Sequence, residues 1–273
     1  MTLERALADA ERVVVVTGAG VSLASGIPTF RGTDPDAVWA KATVEHGTYR
    51  FFREDPVASW RWYIDRFSSL LEAEPSSAHR ALAALERWAV ERGGSFLLVT
   101  QNVDRLHALA GSQALVEIHG RADRIRCARR GCDNGEPRGS LPRGRSLDAF
   151  ASAPSIETLP RCTACGDLLR PHVLWFDERY DAHRDYQYQR VMKATKRAEA
   201  IVFVGTSFAV GITDAILSRG VRNRASLFSI DPSGRQPHRL VEPVRARAEE
   251  VLPALVQALG AQPPSVATPI DER

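Results

Sequence analysis

Residues 13–20 read VVVVTGAG, and this stretch decides the fold of the chain. Four consecutive valines are typical of a strand that is buried on both faces, as strands of a parallel sheet are. The glycines that follow allow a sharp turn and let backbone N–H groups approach a phosphate at the start of the next helix. Leu23 stands where the dinucleotide fingerprint has its third glycine. Nucleotide binding and simple strand-to-helix packing are therefore equally good interpretations of the glycines alone.

Three further apolar runs have the length and composition of buried strands. They lie at residues 96–99, 201–204 and 227–230, and each is followed by small or polar residues. Residues 77–92 carry apolar side chains at helical spacing, and the Gly-Gly pair that follows is typical of a helix end. Alternating strands and helices predict an α/β fold with a doubly wound parallel sheet.

Two segments interrupt this alternation and predict a smaller second lobe made of two insertions. The first, about residues 38–71, is aromatic-rich and helical in pattern, and the second, about 121–169, contains all four cysteines. Residues 133–160 are rich in Gly, Pro, Ser and Arg, which predicts a poorly ordered loop. The predicted organisation is a large α/β domain from residues 1–38, 76–120 and 170–260, a small lobe from residues 39–75 and 121–169, and a flexible tail at 261–273.

Composition and charge exclude several classes of protein. With 273 residues, of which 44% are hydrophobic, the chain can bury a sizeable core, so disorder is not expected. The net charge of +3 comes from scattered basic residues, which argues against a dedicated nucleic-acid site. Residues 1–12 do not resemble a signal peptide, and the longest apolar runs are far shorter than the roughly 20 residues of a membrane span. We therefore expect a cytoplasmic protein without a membrane partner.

The four cysteines come in two pairs, Cys127 with Cys132 and Cys162 with Cys165. In a reducing compartment such pairs point to a metal rather than to disulfides, and the spacing of the second pair is typical of a zinc knuckle. Four thiolates complete a tetrahedral coordination and leave no position for substrate, so the predicted zinc ion is structural. Four free structural thiols are the alternative interpretation.

Polar residues follow three apolar runs, at the edge where open α/β sheets bind ligands. Residues 100–107 read TQNVDRLH and offer amides and a carboxylate to a cofactor, although a turn that caps the next helix has the same composition. Residues 117–120 read EIHG, and His119 has the chemistry of a general base near neutral pH. A lone histidine at a strand end is more often structural. Residues 204–210 read VGTSFAV and add a glycine and two hydroxyls.

The stretch LRPHVLWFDE, residues 169–178, predicts an extended segment with Pro171 near its start. Proline is tolerated only at strand starts and edges, so this segment could offer an edge to which an extended peptide adds as a strand. An ordinary buried strand fits the same pattern.

In order along residues 13–255, these motifs resemble the sirtuin family of NAD-dependent protein deacylases. The resemblance rests on GAG-x-S-x-x-SGIP-x-FRG, TQNVD-x-LH, the His-Gly pair, the paired cysteines, RPHVLWFDE and GTS-x-x-V. It implies a Rossmann-like NAD-binding domain, a zinc-binding lobe, and a cleft between them that admits NAD and an acyl-lysine protein or peptide.

By this resemblance, the glycine-rich turn and the strand ends would bind NAD, and the segment after residue 170 would bind the peptide. The implied catalytic residues are His119, Asn102 and Asp104. The implied NAD-binding residues are Gly18, Ala19, Gly20, Ser22, Ile27, Phe30, Arg31, Gln101, Asn102, Asp104, Gly205, Thr206, Ser207, Asp231 and Ala248. The implied substrate-binding residues are Tyr63, Arg66, His172, Val173, Trp175 and Phe176, and the zinc ligands are Cys127, Cys132, Cys162 and Cys165.

The implied reaction begins when the acyl oxygen attacks C1′ of the nicotinamide ribose and nicotinamide leaves. His119 then deprotonates a ribose hydroxyl, and the products are free lysine, nicotinamide and O-acyl-ADP-ribose. A protein ADP-ribosyltransferase or an NAD hydrolase would use the same cleft without an acyl-lysine channel. A zinc-stabilised NAD-sensing module would use it without catalysis.

Tyr63 and Arg66 stand at i and i+3 of a helical pattern and resemble the pair with which desuccinylase- and demalonylase-type sirtuins recognise an acidic acyl chain. The alternative is a helix with an aromatic core face and a solvated arginine. Under that alternative, acetyl is as good a candidate for the preferred acyl group as succinyl or malonyl. Four features depart from the family pattern: Arg105 in place of a small residue, Asp231 in place of Asn, Asp177 in place of Gly, and the wider spacing of Cys127 and Cys132.

Overall fold

The computed structural model describes residues 1–29 and 45–261. Its strands are β1 (Arg12–Thr17), β2 (Ser95–Thr100), β3 (Leu115–Glu117), β4 (Gly120–Cys127), β5 (Leu141–Pro142), β6 (Leu169–Val173), β7 (Ala200–Val204), β8 (Ser226–Ile230) and β9 (Val241–Val244). Its α-helices are α1 (Leu3–Asp9), α2 (Tyr49–Glu54), α3 (Pro56–Phe67), α4 (Ser77–Glu91), α5 (Leu106–Leu109), α6 (Asp148–Ser152), α7 (Tyr188–Arg197), α8 (Gly211–Arg222) and α9 (Ala248–Ala258). Short 3-10 helices lie at Ala19–Ser25, Ser69–Leu71 and Arg184–Tyr186.

Within the described residues, six strands form a parallel sheet in the order β3-β2-β1-β7-β8-β9. The chain runs outward from β1 to β3 and later returns to β7, which pairs with the other side of β1. The strand order therefore reverses between β1 and β7, and such a point is where open α/β sheets bind their ligands. The predicted Rossmann-like parallel sheet is confirmed, and the four apolar runs lie in β1, β2, β7 and β8.

The valine run of β1 explains why both faces of this sheet are covered. Val13 and Val15 belong to a core formed with α1, α4 and α9. Val14 and Val16 point to the other face, where α7 and α8 pack. Successive side chains of a strand alternate between faces, so an uninterrupted run of valines serves two cores at once.

A second, three-stranded antiparallel sheet has the order β5-β4-β6 within the described residues. Its core includes aromatic side chains of α2 and α3, among them Phe52, Trp60 and Tyr63. The Trp60 indole N–H donates to the Leu169 carbonyl at 2.9 Å, which fixes α3 against β6. The helical and cysteine-bearing insertions therefore share one core. β6 belongs to this small sheet, although the predicted boundary at residue 170 assigns most of it to the large domain.

Residues 133–160 contain β5 and α6. Leu147, Phe150 and Leu159 are buried in the small-lobe core. The prediction of a poorly ordered loop is therefore wrong for the part of the segment that contains β5, α6 and these three residues. The prediction followed the high Gly, Pro and Ser content of the segment. The three apolar residues are widely spaced in the sequence, and they find packing partners only in the folded small lobe. The predicted flexible tail begins at residue 261, and its residues 262–273 lie outside the described part of the chain.

None of the helices in residues 1–29 and 45–261 has the length and apolar character needed to traverse a bilayer.

Candidate active site

A cleft of about 940 Å³ lies along the carboxyl ends of the large-sheet strands and is closed on its other side by the small lobe. Its volume is in the range of pockets that enclose a small molecule or cofactor. Most of the residues implied by the resemblance line it. Those residues are Gly18, Ala19, Gly20, Tyr63, Gln101, Asn102, His119, Val173, Trp175, Phe176, Gly205, Thr206, Ser207, Asp231 and Ala248.

Two glycine-containing turns meet at the floor of the cleft, after β1 and after β7. The Gly18 N–H donates to the Val204 carbonyl at 3.0 Å, and the Gly20 N–H donates to the Gly205 carbonyl at 2.9 Å. A Cβ added to Gly20 would lie 2.7 Å from the Gly205 Cα atom. Gly205 itself has a φ of 57°, in the left-handed region that favours glycine. The glycines therefore pack the two turns together, and this close packing shapes the cavity in which a cofactor would lie.

A buried hydrogen-bond chain lies behind the cleft. Asn102 donates to the Ser22 hydroxyl at 2.9 Å, and Ser22 donates to the Asp104 carboxylate at 2.7 Å. The other Asp104 oxygen accepts from the Leu106 N–H at 3.0 Å, at the start of α5. Burial raises the pKa of Asp104, and the hydrogen bonds from Ser22 and Leu106 oppose that shift. Asp104 and Ser22 are not among the residues that line the cleft, but they hold Asn102, which is. Asp104 also accepts from the first N–H of α5.

Of the other implied cofactor residues, only Ile27 lies in the described part of the chain, and it is not among the residues that line the cleft. Ile27 is buried in the core of the small lobe. Phe30 and Arg31 lie outside the described residues, so their predicted contacts with NAD stay predictions.

His119 follows β3 and faces the cleft. Its Nδ1 atom lies 2.8 Å from the Gln101 carbonyl oxygen. A carbonyl can only accept, so Nδ1 carries the proton and the neutral ring presents the Nε2 lone pair. Burial lowers the pKa of His119 to about 4, partly opposed by the bond to Gln101, so the ring is neutral at pH 7. A neutral imidazole with an unprotonated ring nitrogen in a cleft can act as a general base.

Tyr180 is a cleft residue that the sequence motifs do not single out. Its hydroxyl lies 3.5 Å from His119 Nε2, and the two rings stack with centroids 5.8 Å apart. No periodicity or motif marks this position, because the contact joins a loop after β6 to the residue that follows β3.

Neighbouring side chains at the end of β6 and just after it lie on different sides of the chain. Val173, Trp175 and Phe176 line the cleft, and Phe176 is half exposed. His172 is buried and is not among the residues that line the cleft, and its implied role in substrate binding stays a prediction. Alternation along β6 turns it to the opposite face, where its Nε2 atom lies 3.2 Å from the Asp185 carboxylate. Burial lowers the pKa of His172 to about 4, and the bond to Asp185 opposes this shift.

β6 is both an edge strand and a buried one. It pairs with β4 on one side and is the last strand of the small sheet in the described residues, yet all five of its residues are buried. Beyond its end, the N–H groups of Leu174 and Phe176 donate to the carbonyls of His119 and Gly47 at 2.8 and 3.0 Å. β6 is therefore an edge strand of the small sheet with buried side chains, and the addition of a peptide along it stays a prediction.

A buried ion cluster holds this segment in place. Glu178, which lines the cleft, accepts from Arg126 at 2.9 Å and from Arg170 Nη2 at 2.9 Å. It also accepts from the Trp175 backbone N–H at 2.9 Å. The Arg170 guanidinium lies over the Trp175 ring, 3.5 Å from its centroid. The two arginines lower the pKa of Glu178 against the opposing effect of burial, so the carboxylate is charged and orients Trp175.

The Tyr63–Arg66 pair is only partly directed to the cleft. Tyr63 lines it and accepts a hydrogen bond from the Trp175 indole N–H at 2.7 Å. Burial raises the pKa of Tyr63. Arg66 does not line the cleft, and its Nη2 atom is buried without a hydrogen-bond partner among the described residues. Burial lowers the pKa of Arg66.

The four cysteines come together in the small lobe. Cys127 and Cys165 have their Sγ atoms 3.4 Å apart, and Cys132 and Cys162 have theirs 3.7 Å apart. All four Sγ atoms lie within 4.8 Å of one another. A tetrahedron of thiolates around zinc, with Zn–S near 2.3 Å, has S–S edges of about 3.8 Å, so the cluster could hold one zinc ion. The Asn134 amide lies 3.6 Å from Cys162 Sγ and would support that ligand.

The positions that depart from the family pattern have local roles. Arg105 donates to the Leu71 carbonyl at 3.0 Å and is not among the residues that line the cleft. Asp177 accepts from the Tyr49 and Arg50 N–H groups at 2.7 and 3.1 Å, which docks the start of α2. Asp231 lines the cleft and accepts from the Ser233 N–H at 2.9 Å.

Comparison with known proteins places these features in one family. The model of the Sir2 family matches residues 18–211. An NAD-dependent protein deacylase of Thermus thermophilus is 41% identical over 227 residues, covering 83% of this chain and 81% of the relative. NAD-dependent protein deacylase 1 of Archaeoglobus fulgidus is 36% identical and covers 93% of this chain and 96% of its own length.

Solved structures agree with these matches. A Sir2 homologue in complex with NAD has a TM-score of 0.77 at 34% identity, over 94% of this chain and 93% of that one. A complex of Sir2 with a p53 peptide and NAD+ has a TM-score of 0.75 at 26% identity, over 95% of this chain and 99% of that one. Since the family model covers more than half of the chain and these relatives span most of it, the chain belongs to the Sir2 (sirtuin) family.

Proposed function

We propose that this protein is an NAD-dependent protein lysine deacylase that transfers the acyl group of an acyl-lysine to ADP-ribose and releases nicotinamide. One observation carries the proposal: the neutral His119 ring lines a cleft of cofactor size, and its Nε2 atom is unprotonated. The family membership and the names of the relatives support the same reaction class.

NAD, when bound, would supply an electrophilic anomeric carbon once nicotinamide departs. Gly18, Gly20 and Gly205 shape the surface on which the phosphates would lie. Asn102 is held from behind by Ser22 and is positioned to orient the ribose. His119 would take the proton of a ribose hydroxyl. The apolar walls from Val173, Trp175 and Phe176 would keep water from competing for the reacting carbon.

The acyl-lysine side chain is proposed to enter between Tyr63 and the Trp175 segment, where both line the cleft. The Nη2 atom of Arg66, one helical turn from Tyr63, has no hydrogen-bond partner among the described residues, which favours an acidic acyl chain such as succinyl or malonyl. A terminal carboxylate would provide a partner for this nitrogen. A preference for acetyl would instead mean that Arg66 has only a structural role in the small lobe.

The experiment combines purified protein, NAD and peptides that carry acetyl-, succinyl- or malonyl-lysine, with products analysed by mass spectrometry. We expect nicotinamide and O-acyl-ADP-ribose in equal amounts, and loss of both in His119→Ala. His238→Ala, at a histidine outside the cleft lining, is the control and keeps its activity. An ADP-ribosylated peptide, or ADP-ribose without acyl removal, would instead identify a transferase or an NAD hydrolase.

The acyl preference is tested with Arg66→Met, and Arg61→Met on the exposed side of the same helix is the control. Selective loss of succinyl and malonyl removal in Arg66→Met supports the assignment. Equal activity of both variants on all peptides overturns it.

We also propose that the protein acts in the cytoplasm on acyl-lysine proteins. A reducing compartment suits four cysteines that are clustered as thiols. Fractionation of cells that produce the full chain tests this location.

A further inference from the structure

Each ring nitrogen of His119 has a different neighbour, and the contact of Nε2 is with Tyr180. Nδ1 donates to the Gln101 carbonyl, so Nε2 is an acceptor in the neutral ring. The Tyr180 hydroxyl lies 3.5 Å from Nε2 and must therefore be the donor of this contact. At that distance the bond is long and weak, which suits a partner that a substrate hydroxyl can displace.

Tyr180 also stacks with a second ring. Its ring centroid lies 5.9 Å from that of Tyr188, with an interplanar angle of 18°. A phenol oxygen has one O–H and two lone pairs, so a hydroxyl that donates to His119 still has lone pairs that can accept. Burial raises the pKa of Tyr180, so it stays protonated at pH 7.

We propose that Tyr180 is a positioning residue for His119. In the resting cleft its hydroxyl holds Nε2 toward the cavity. When His119 takes the proton of a ribose hydroxyl, that proton becomes Nε2–H, and the Tyr180 hydroxyl rotates so that a lone pair of its oxygen accepts from the imidazolium. The proton stays on His119, and Tyr180 neither gains nor loses one.

This role predicts an effect on the reaction and not on binding. A hydrogen bond to a charged group is stronger than one to a neutral group, so the contact favours the protonated ring that forms during the reaction. Phenylalanine would keep the ring stacking with His119 and Tyr188 and remove only the hydroxyl. The inference rests on the proposed deacylase function, because it assigns the proton to His119.

The test measures deacylation by wild type, Tyr180→Phe, His119→Ala and the double variant. We expect Tyr180→Phe to lower kcat about tenfold, as loss of one charge-assisted hydrogen bond would, with KM for NAD and for the peptide within about twofold. Any slow residual rate of His119→Ala, measured at high enzyme concentration, should not fall further when Tyr180→Phe is added. Tyr188→Phe removes a hydroxyl from the outer ring of the stack and should behave as wild type.

A second measurement does not depend on activity. Nitrogen NMR of histidine-labelled wild-type protein should show His119 protonated on Nδ1, with an Nε2 resonance that moves in Tyr180→Phe. Full activity of Tyr180→Phe, an equal loss in the His119→Ala background, or a proton on Nε2 in the neutral ring would each overturn the proposal. A wild-type protein that removes no acyl group would instead count against the proposed function.

Discussion

The Trp175 indole N–H donates a hydrogen bond to the Tyr63 hydroxyl at 2.7 Å, between two side chains that both line the cleft. Tyr63 belongs to α3 of the helical insertion, and Trp175 follows β6. The contact therefore joins the two segments between which the acyl chain is proposed to enter. It also gives the buried polar atoms of both aromatic residues a partner, which such atoms require.

Tyr63→Phe should destabilise the protein. The indole N–H of the buried Trp175 would lose its acceptor, and a buried unpaired donor costs about 1–3 kcal/mol. Urea unfolding measures the change in the free energy of unfolding, with Tyr188→Phe as the control. An unchanged midpoint would mean that water satisfies the indole.

Glu178→Gln should have a larger effect on stability. The substitution leaves Arg126 and Arg170, both almost fully buried, without their shared carboxylate. Breaking a buried ion pair from one side typically costs about 3–5 kcal/mol. The same unfolding assay on Asp181→Asn, which breaks the exposed Arg179–Asp181 pair, should show a change of at most about 1 kcal/mol. Equal effects of the two variants would contradict the burial argument.

Gly205→Ala should weaken NAD binding. A Cβ at this position would lie 2.6 Å from backbone atoms of Gly20 and Val21, so the two turns at the cleft floor would have to separate. We expect the dissociation constant for NAD, measured by calorimetry, to rise at least about tenfold, which corresponds to about 1.4 kcal/mol. Gly144→Ala shares the positive φ but meets no atom within 4 Å, so it controls for backbone strain alone. If both variants bound NAD with the same affinity, the turns after β1 and β7 would be able to separate without cost.

Removal of zinc should unfold the small lobe and abolish activity, although no cysteine lines the cleft. Structural zinc sites contribute folding energy directly. We expect about one zinc per chain by elemental analysis, its loss with a chelator, a lower melting temperature, and recovery when zinc is returned. A metal-free protein with unchanged melting temperature would identify the cysteines as free structural thiols.

Stability should fall as the pH drops from 7 toward 4. Burial lowers the pKa of both His79 and His172 from 6.5 to about 4 in the folded protein. Between those two values the unfolded chain binds more protons than the folded one, so acid favours unfolding. Chemical denaturation at several pH values measures the slope, and His172→Asn should make it less steep. A stability that does not change over this range would contradict the burial of neutral histidines.

Several features of the fold and site could be predicted from local sequence. The apolar runs predicted the strands because continuous β-branched stretches are stable only when both faces are covered. The Gly-Ala-Gly turn, the Gln101-Asn102 pair and His119 were predicted to meet because parallel strands end at one edge, and all of them line the cleft. The cysteine pairs predicted a cluster because a tetrahedral ion needs four soft ligands.

Other features depended on contacts between segments that are distant in sequence. Strand alternation placed His172 behind β6, although its neighbour Val173 lines the cleft. Phe150 became a core residue only because β4 and β6 provide a surface for it.

The sequence by itself therefore determined the parallel sheet, the order of the motifs and the types of chemical group at the strand ends, since these follow from local periodicity and residue type. Only the tertiary structure decided which side chain meets which. The Tyr180 hydroxyl reaches His119 from 61 positions away, and Arg105 turns to the Leu71 carbonyl rather than to the cleft. Such contacts depend on the packing of whole elements, and no short stretch of sequence contains that information.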